Sequence, residues 1–286
     1  MSDLACSLRS LHLYPVKSCA GIDLPRSVLL GEGLADDRAW MIVDRGGDML
    51  TQRSHPALAR IRPKRTADTL ELRAPGMLTL HVSLDLAPTL APTRVRIWRD
   101  IVRARAVGPL ADQWVSDYLG LPAQLVRFDP TERRLADRHW TGRQEAPVQF
   151  GDGFPLLVAG SASLAELNRR LAARGQAPVT MARFRPNLVL DGLEPFDEDH
   201  IDELRLQADE GPVRLRLVKP CVRCAIPNVD PTSGEPGLEP GATLAGFRAD
   251  PRMDGGITFG MNAIVLEGAG RTLRAGLAAQ ARLAFA

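Results

Sequence analysis

Between residues 7 and 105, apolar side chains recur in short alternating or β-rich runs: Leu11 to Val16, Ala39 to Val43, Thr79 to Leu84 and Val95 to Trp98. Gly, Pro and Asp separate the runs. A period of two marks half-buried strands, so this half is expected to be antiparallel β. The period changes at Pro109, after which Leu110, Trp114 and Tyr118 lie four apart and Gly120 follows. That spacing predicts an amphipathic helix bridging two β regions. From Pro130 to Pro147 the chain is polar, Arg-rich and aperiodic, the pattern of a long loop. Ser163-x-x-Glu166 reads as a capping box ahead of Leu164, Leu167 and Leu171, and Gly175 ends the pattern, predicting a helix over 163–174. Strands are expected at Asn187 to Leu190, Val213 to Val218 and Ile257 to Leu266. The segment from Pro231 to Gly256, with Gly234, Pro236, Gly237, Pro240, Gly241 and Gly255, is read as a long connection of the kind that is functional or mobile.

The chain has 286 residues, enough for one large or two modest domains, and its 45% hydrophobic and 24% charged content is that of a soluble globular protein. Disorder, collagen and coiled coil are excluded. No apolar run approaches the roughly 18–20 residues of a spanning helix, and the N-terminal stretch lacks the apolar core of a signal peptide, so a cytoplasmic protein without membrane attachment is expected. The formal net charge is +2. Only Lys17, Lys64 and Lys219 are lysines; the other basic residues are Arg. The densest basic stretch, Arg94 to Arg105, alternates with Val95, Ile97 and Ile101 as a strand with one wet face would, and no nucleic-acid partner is expected.

The four cysteines, Cys6, Cys19, Cys221 and Cys224, are too few for a disulfide scaffold. Cys221-Val222-Arg223-Cys224 follows an alternating strand and is flanked by Pro220 and Pro227, which places it at a strand end. A thioredoxin-like pair relies on a helix N-terminus, which Pro227 would interrupt. A structural zinc site needs four ligands, and neither the other cysteines nor His12, His55, His81, His139 and His200 supply a second pair at ligand spacing. Three readings stay open: a soft ligand for one metal, a nucleophile, or buried inert thiols. Lys17-Ser18, Arg38 and Arg183-Phe184-Arg185-Pro186-Asn187 lie in short turn-bounded motifs. Such loop-borne donors are what a phosphate site requires, although singly each is an ordinary surface charge. Gly31-x-Gly33 and Gly151-x-Gly153 lack the third glycine of a dinucleotide loop and the Lys of a P-loop.

Taken together, Leu11-His12-Leu13-Tyr14-Pro15-Val16-Lys17-Ser18, Leu34-Ala35-Asp36-Asp37-Arg38-Ala39-Trp40 and Thr51-Gln52-Arg53 resemble the N-terminal β-barrel domain of MOSC proteins. Arg183 to Asn187, Cys221 to Cys224 and Val229-Asp230-Pro231-x-x-Gly234 resemble the MOSC domain, named for the C-terminal domain of molybdenum cofactor sulfurase. The resemblance runs from about residue 9 to 280. It implies a molybdenum enzyme of the amidoxime-reducing type, a group that includes bacterial enzymes acting on N-hydroxylated purines, with pterin dithiolene sulfurs and one cysteine holding the metal. Cys224 matches the metal-ligand position. Lys17, Ser18, Arg38, Arg185, Asn187 and Arg223 match positions that contact the molybdopterin cofactor, chiefly its phosphate. Gly153-Phe154-Pro155 departs from the small hydroxyl residues that relatives carry before a Pro, so either Gly153 and Phe154 contact the cofactor through backbone N–H groups or the pocket differs there. The sequence has no Cys-x4-Cys-x2-Cys spacing for a plant-type iron–sulfur cluster. Electrons are therefore expected from a separate ferredoxin, flavoprotein or cytochrome b5-like donor.

The expected fold is α+β, a β-rich N-terminal domain (1–105) and a helical connector (106–130) packed on a β-barrel-like MOSC domain (131–286) with a few helices. The expected activity is reduction of small N-hydroxylated or N-oxygenated compounds. Asp230 would orient substrate or relay a proton, or serve only as a turn residue. The rival readings are sulfur transfer through a persulfide on Cys224 and a carrier that binds molybdopterin without turnover.

Overall fold

The computed structural model describes residues 3–85 and 92–284; residues 86–91, within the expected N-terminal domain, and both chain ends lie outside the described residues. Among these, seven strands close into a barrel. In order around it they are Leu156–Gly160, Leu188–Asp191, Asp3–Leu13, Ala278–Leu283, Ile201–Ala208, Gly211–Val222 and Gly256–Glu267. The ring closes because Leu156 and Leu157 pair with Ala263 and Asn262. Closure removes the exposed edges that an open sheet would present. The barrel interior is filled by Leu8, Leu11, Leu188, Leu190, Leu204, Leu215, Leu217, Met261 and Ala263. At a quarter of a hundred calories per Å² of apolar surface, roughly 25 cal/mol, such burial is the main force holding the two chain halves in one body.

The barrel is not built from the second half alone. The first strand, Asp3–Leu13, lies between Leu188–Asp191 and Ala278–Leu283, so the N-terminus closes a sheet made otherwise of residues after 155. The remaining N-terminal residues form smaller antiparallel sheets. Trp40–Asp44, Ala123–Phe128, Asp100–Ala106 and Pro92–Ile97 make one, and Arg62–Arg65, Thr69–Arg73 and Leu80–Ser83 another. Ala123–Phe128 falls inside the stretch expected as a helical connector; it is a strand because Leu125 and Val126 pair with Ile42 and Met41 and bury their side chains there. The molecule is α+β with a strong β bias.

The helix Pro109–Leu119 has Pro at its start and ends on Gly120, whose φ of +68° forms the left-handed cap. Its buried face differs from expectation. Ala111, Trp114 and Val115 are buried whereas Leu110 is 74% exposed. On the hairpin Pro92–Ile97/Asp100–Ala106, Ile101 lies opposite Arg96 and shares its wet face, while Val102, opposite Val95, takes the buried position.

The helix expected at 163–174 runs Ser161–Ala173, with Gly160 at its N-cap. Ser163 is therefore no cap. Its buried hydroxyl donates to Glu198 Oε2 (2.7 Å) and accepts from the Phe196 N–H (2.8 Å), while Glu166 pairs with Arg169 and Arg170. Desolvation raises the Glu198 pKa despite these bonds. Ser163→Ala would strand a buried N–H and a buried carboxyl oxygen, so it should cost about 1–3 kcal/mol in urea unfolding at an unchanged m-value. A cost within error of zero would mean that solvent replaces the hydroxyl.

Candidate active site

The long strand Gly211–Val222 would normally be stopped by Pro220, which has no N–H to give the ladder. A register shift between Pro220 and Val222 lets it continue. Arg223 N–H then donates to Ile257 O (2.8 Å), and the chain leaves the barrel rim at Cys224. Cys224 is exposed and opens on a cavity lined by residues of both halves of the chain. Cys221, also lining it, accepts from Arg223 Nη1 (2.9 Å). Burial pushes the Cys6 thiol up to about 11 and the Cys19 thiol up to about 12, which disfavours the reactive thiolate at both.

The cavity is also lined by Lys17, Arg38, Arg185 and Arg223, with Glu32, Asp37 and Asp152 among them. Lys17 is buried, its ammonium donating to Phe150 O (3.0 Å) and Asp152 Oδ1 (2.5 Å). Desolvation lowers the Lys17 pKa, against the opposing pull of Asp152. For Asp152 desolvation works upward, but Lys17 and then Arg38 outweigh it and hold the carboxyl below its usual range. Arg38 donates to Asp37, to Asn187 Oδ1 (3.1 Å) and to Arg185 O (3.0 Å), and lies over the Tyr14 ring. Arg185 covers the same ring and reaches Cys19 O; desolvation and the neighbouring Arg38 push it down to about 10, still charged at neutral pH. Asn187, buried, also accepts from Leu157 N–H (3.1 Å). Seven described non-glycine residues have positive φ, and Ser18, Arg38, Trp98 and Arg185 among them all line this cavity. Each costs of order 1–2 kcal/mol, so local preference has yielded here to the shape of one site.

The structure brings together Lys17, Ser18, Arg38, Gly153, Phe154, Arg185, Asn187, Arg223 and Cys224 around this cavity. Asp230 is not among its lining residues. Its carboxylate accepts from the N–H groups of Thr232 and Ser233 (2.8 and 2.9 Å) and from Arg183 (2.9 Å). The Gly/Pro-rich stretch from Pro231 to Gly256 contributes no lining residue either. It folds into a short helix, Gly241–Ala245, and a two-residue strand, Ala249–Asp250.

Sequence reasoning missed three contributors. Asp152 was visible only as the middle of a failed glycine motif. Trp98 looked like the end of a strand. Arg134, in the presumed long loop, donates to the carbonyls of Gln149, Gly151 and Asp152 and to Asp100 Oδ2 (2.7 Å), fixing the cavity wall from behind. No pattern in the sequence signals that role. Gly33 has a structural use instead of a phosphate one: at φ +113°, a Cβ there would lie 2.3 Å from Pro155 O in the same wall.

Two family models match, the MOSC N-terminal beta barrel domain at residues 5–122 and the MOSC domain at 145–278. Human mitochondrial amidoxime-reducing component 1 is 33% identical over 257 residues, covering 86% of this chain and 73% of that protein. The chain belongs to the MOSC family. It is also similar to mitochondrial amidoxime reducing component 2 of Bos taurus, at 31% over 254 residues, 86% of this chain and 73% of that one. Molybdenum cofactor sulfurase of Oryza sativa subsp. japonica is 32% identical over 277 residues, covering 89% of this MOSC chain but 32% of the sulfurase. No helix among the described residues is long and apolar enough to cross a membrane.

Proposed function

We propose that this MOSC protein is a molybdenum-cofactor-dependent reductase of N-hydroxylated and N-oxygenated compounds that takes its electrons from a separate donor. The observation that carries this reading is the exposed Cys224 thiol opening on one cavity with Lys17, Arg38, Arg185 and Arg223. The donor set fits an anionic pterin. The guanidiniums of Arg185 and Arg223 meet carbonyls and a sulfur but make no ion pair with a carboxylate among the described residues, and Arg223 Nε is buried without a partner. Positive charge uncompensated by a carboxylate ion pair, and an orphaned donor, are thus left in residues that line the cavity. Among the described residues no group of three or more His, Cys, Asp or Glu could hold a metal. A metal on Cys224 would therefore take its other ligands from the cofactor, as the names of the relatives favour.

When bound, the cofactor supplies two-electron chemistry, and the protein holds and orients it. In this reading Cys224 is the protein's metal ligand. Lys17, Ser18, Arg38 and Arg185 hold the phosphate, Asn187 braces Arg38, and Arg223 faces the pterin while Gly153 and Phe154 wall it. The overall reaction breaks one N–O bond, consumes two electrons and two protons, and releases water. A cytoplasmic setting would keep so exposed a thiol reduced.

The test is turnover. Molybdenum-loaded protein should reduce benzamidoxime or an N-hydroxylated purine with a reduced viologen dye, and NADH alone should give none. Loaded protein inert toward every N–O compound, yet releasing sulfur from a Cys224 persulfide, would move the assignment to sulfur transfer. Stable molybdopterin binding with neither activity would leave a carrier.

A further inference from the structure

The hairpin joining Pro92–Ile97 to Asp100–Ala106 has two central residues, Trp98 and Arg99, between the paired Ile97 and Asp100. Only Trp98 has positive φ, +55°. A positive φ confined to the first central position is the pattern of a type II′ turn, where glycine is the residue of choice. Here the chain places its bulkiest side chain. Local preference and observed residue disagree, which is the signature of a position held for another purpose.

The indole is fixed by two residues that line the cavity, Asp152 and Lys17, and by Arg53 outside its lining. Its N–H donates to Asp152 Oδ1 (3.3 Å), Arg53 stacks with its guanidinium carbon 4.3 Å from the ring centroid, and the Lys17 ammonium lies 5.5 Å from it. Trp98 lines the cavity and remains 37% exposed. An oriented, part-exposed aromatic surface lining a ligand site is a stacking wall, because offset stacking on an indole discriminates flat conjugated ligands from saturated ones. We propose that Trp98 is a specificity-determining residue, a wall on which planar conjugated N-oxygenated compounds stack as they enter the cavity. The identity of the ligand rests on the reductase reading; the preference for flat ligands rests on the turn and the cavity.

The test is binding without turnover. Oxidised holoprotein, with no reductant present, is titrated calorimetrically with benzamidoxime and with acetamidoxime, its aliphatic counterpart. The wild type should favour benzamidoxime. Trp98→Gly, which suits the turn and so keeps the fold, should cut that affinity ratio roughly 10-fold, and Trp98→Phe should retain most of it. Melting temperature verifies that the Gly variant is folded. An unchanged ratio in the Gly variant, equal wild-type affinities, or no wild-type binding of either compound overturns the proposal. Failure of the reductase reading is seen separately, as binding preference without turnover under reduced viologen.

Discussion

Cys224→Ser protein should lose N–O reduction to background and show an altered metal absorption spectrum, while Cys221→Ser keeps most of both. The asymmetry follows from where the two sulfurs lie. Cys224 is exposed on the cavity beyond the end of the strand, whereas Cys221 is only part-exposed and already accepts from Arg223 Nη1 at 2.9 Å. Removing an outer-shell partner of a metal ligand typically costs about 10- to 100-fold in metal affinity or activity, and removing the ligand should cost at least as much. Molybdenum content by elemental analysis, the absorption spectrum and viologen-linked turnover are the three readouts. Retention of all three by Cys224→Ser, with loss in Cys221→Ser, would transfer the ligand role to Cys221.

What was legible in the sequence was what depends on neighbours in the chain. Pro109 and Gly120 bracket a helix because a missing N–H and a left-handed cap are local properties, and the helix runs between them as expected. Leu110 misled because spacing of four cannot distinguish the face that meets strand Ala123–Phe128 from the one beside it. Ser163 misled for a related reason. A hydroxyl three residues before a glutamate suits a capping box, but Glu198, thirty-five residues away, had the stronger claim on it. The cavity shows the same divide. Its cations stood in recognisable short motifs, yet Asp152, which pairs with Lys17 across 135 residues, and Arg134, which holds the carbonyls around it, are defined only by tertiary contacts. Nor could periodicity reveal that the first strand inserts between two of the last ones, since pairing across most of the chain leaves no local trace.

The cations that line the cavity carry the remaining large effect. If Lys17, Arg38 and Arg185 jointly hold a phosphate, changing any one to Ala removes a charge-assisted contact worth roughly 1.5–3 kcal/mol and should weaken cofactor retention about 10- to 150-fold. The three variants are not equivalent in other respects. Lys17→Ala frees Asp152, whose side chain is 71% exposed and can be solvated, so the fold should survive it. Arg38→Ala also unties Asp37 and Asn187 and deprives Arg185 O of its donor, so part of its effect will be on stability. Melting temperature of the empty protein separates these contributions. Arg185 is the sharpest case, since it holds a guanidinium in a left-handed backbone position with a carbonyl and an aromatic face, but no ion-paired carboxylate among the described residues, for company. A half-buried charge so poorly compensated is costly unless an anion shares the site, and its removal should raise the stability of the empty protein while lowering cofactor retention. Pterin fluorescence after exhaustive dialysis measures the second effect, and full occupancy in all three variants would sink the phosphate assignment.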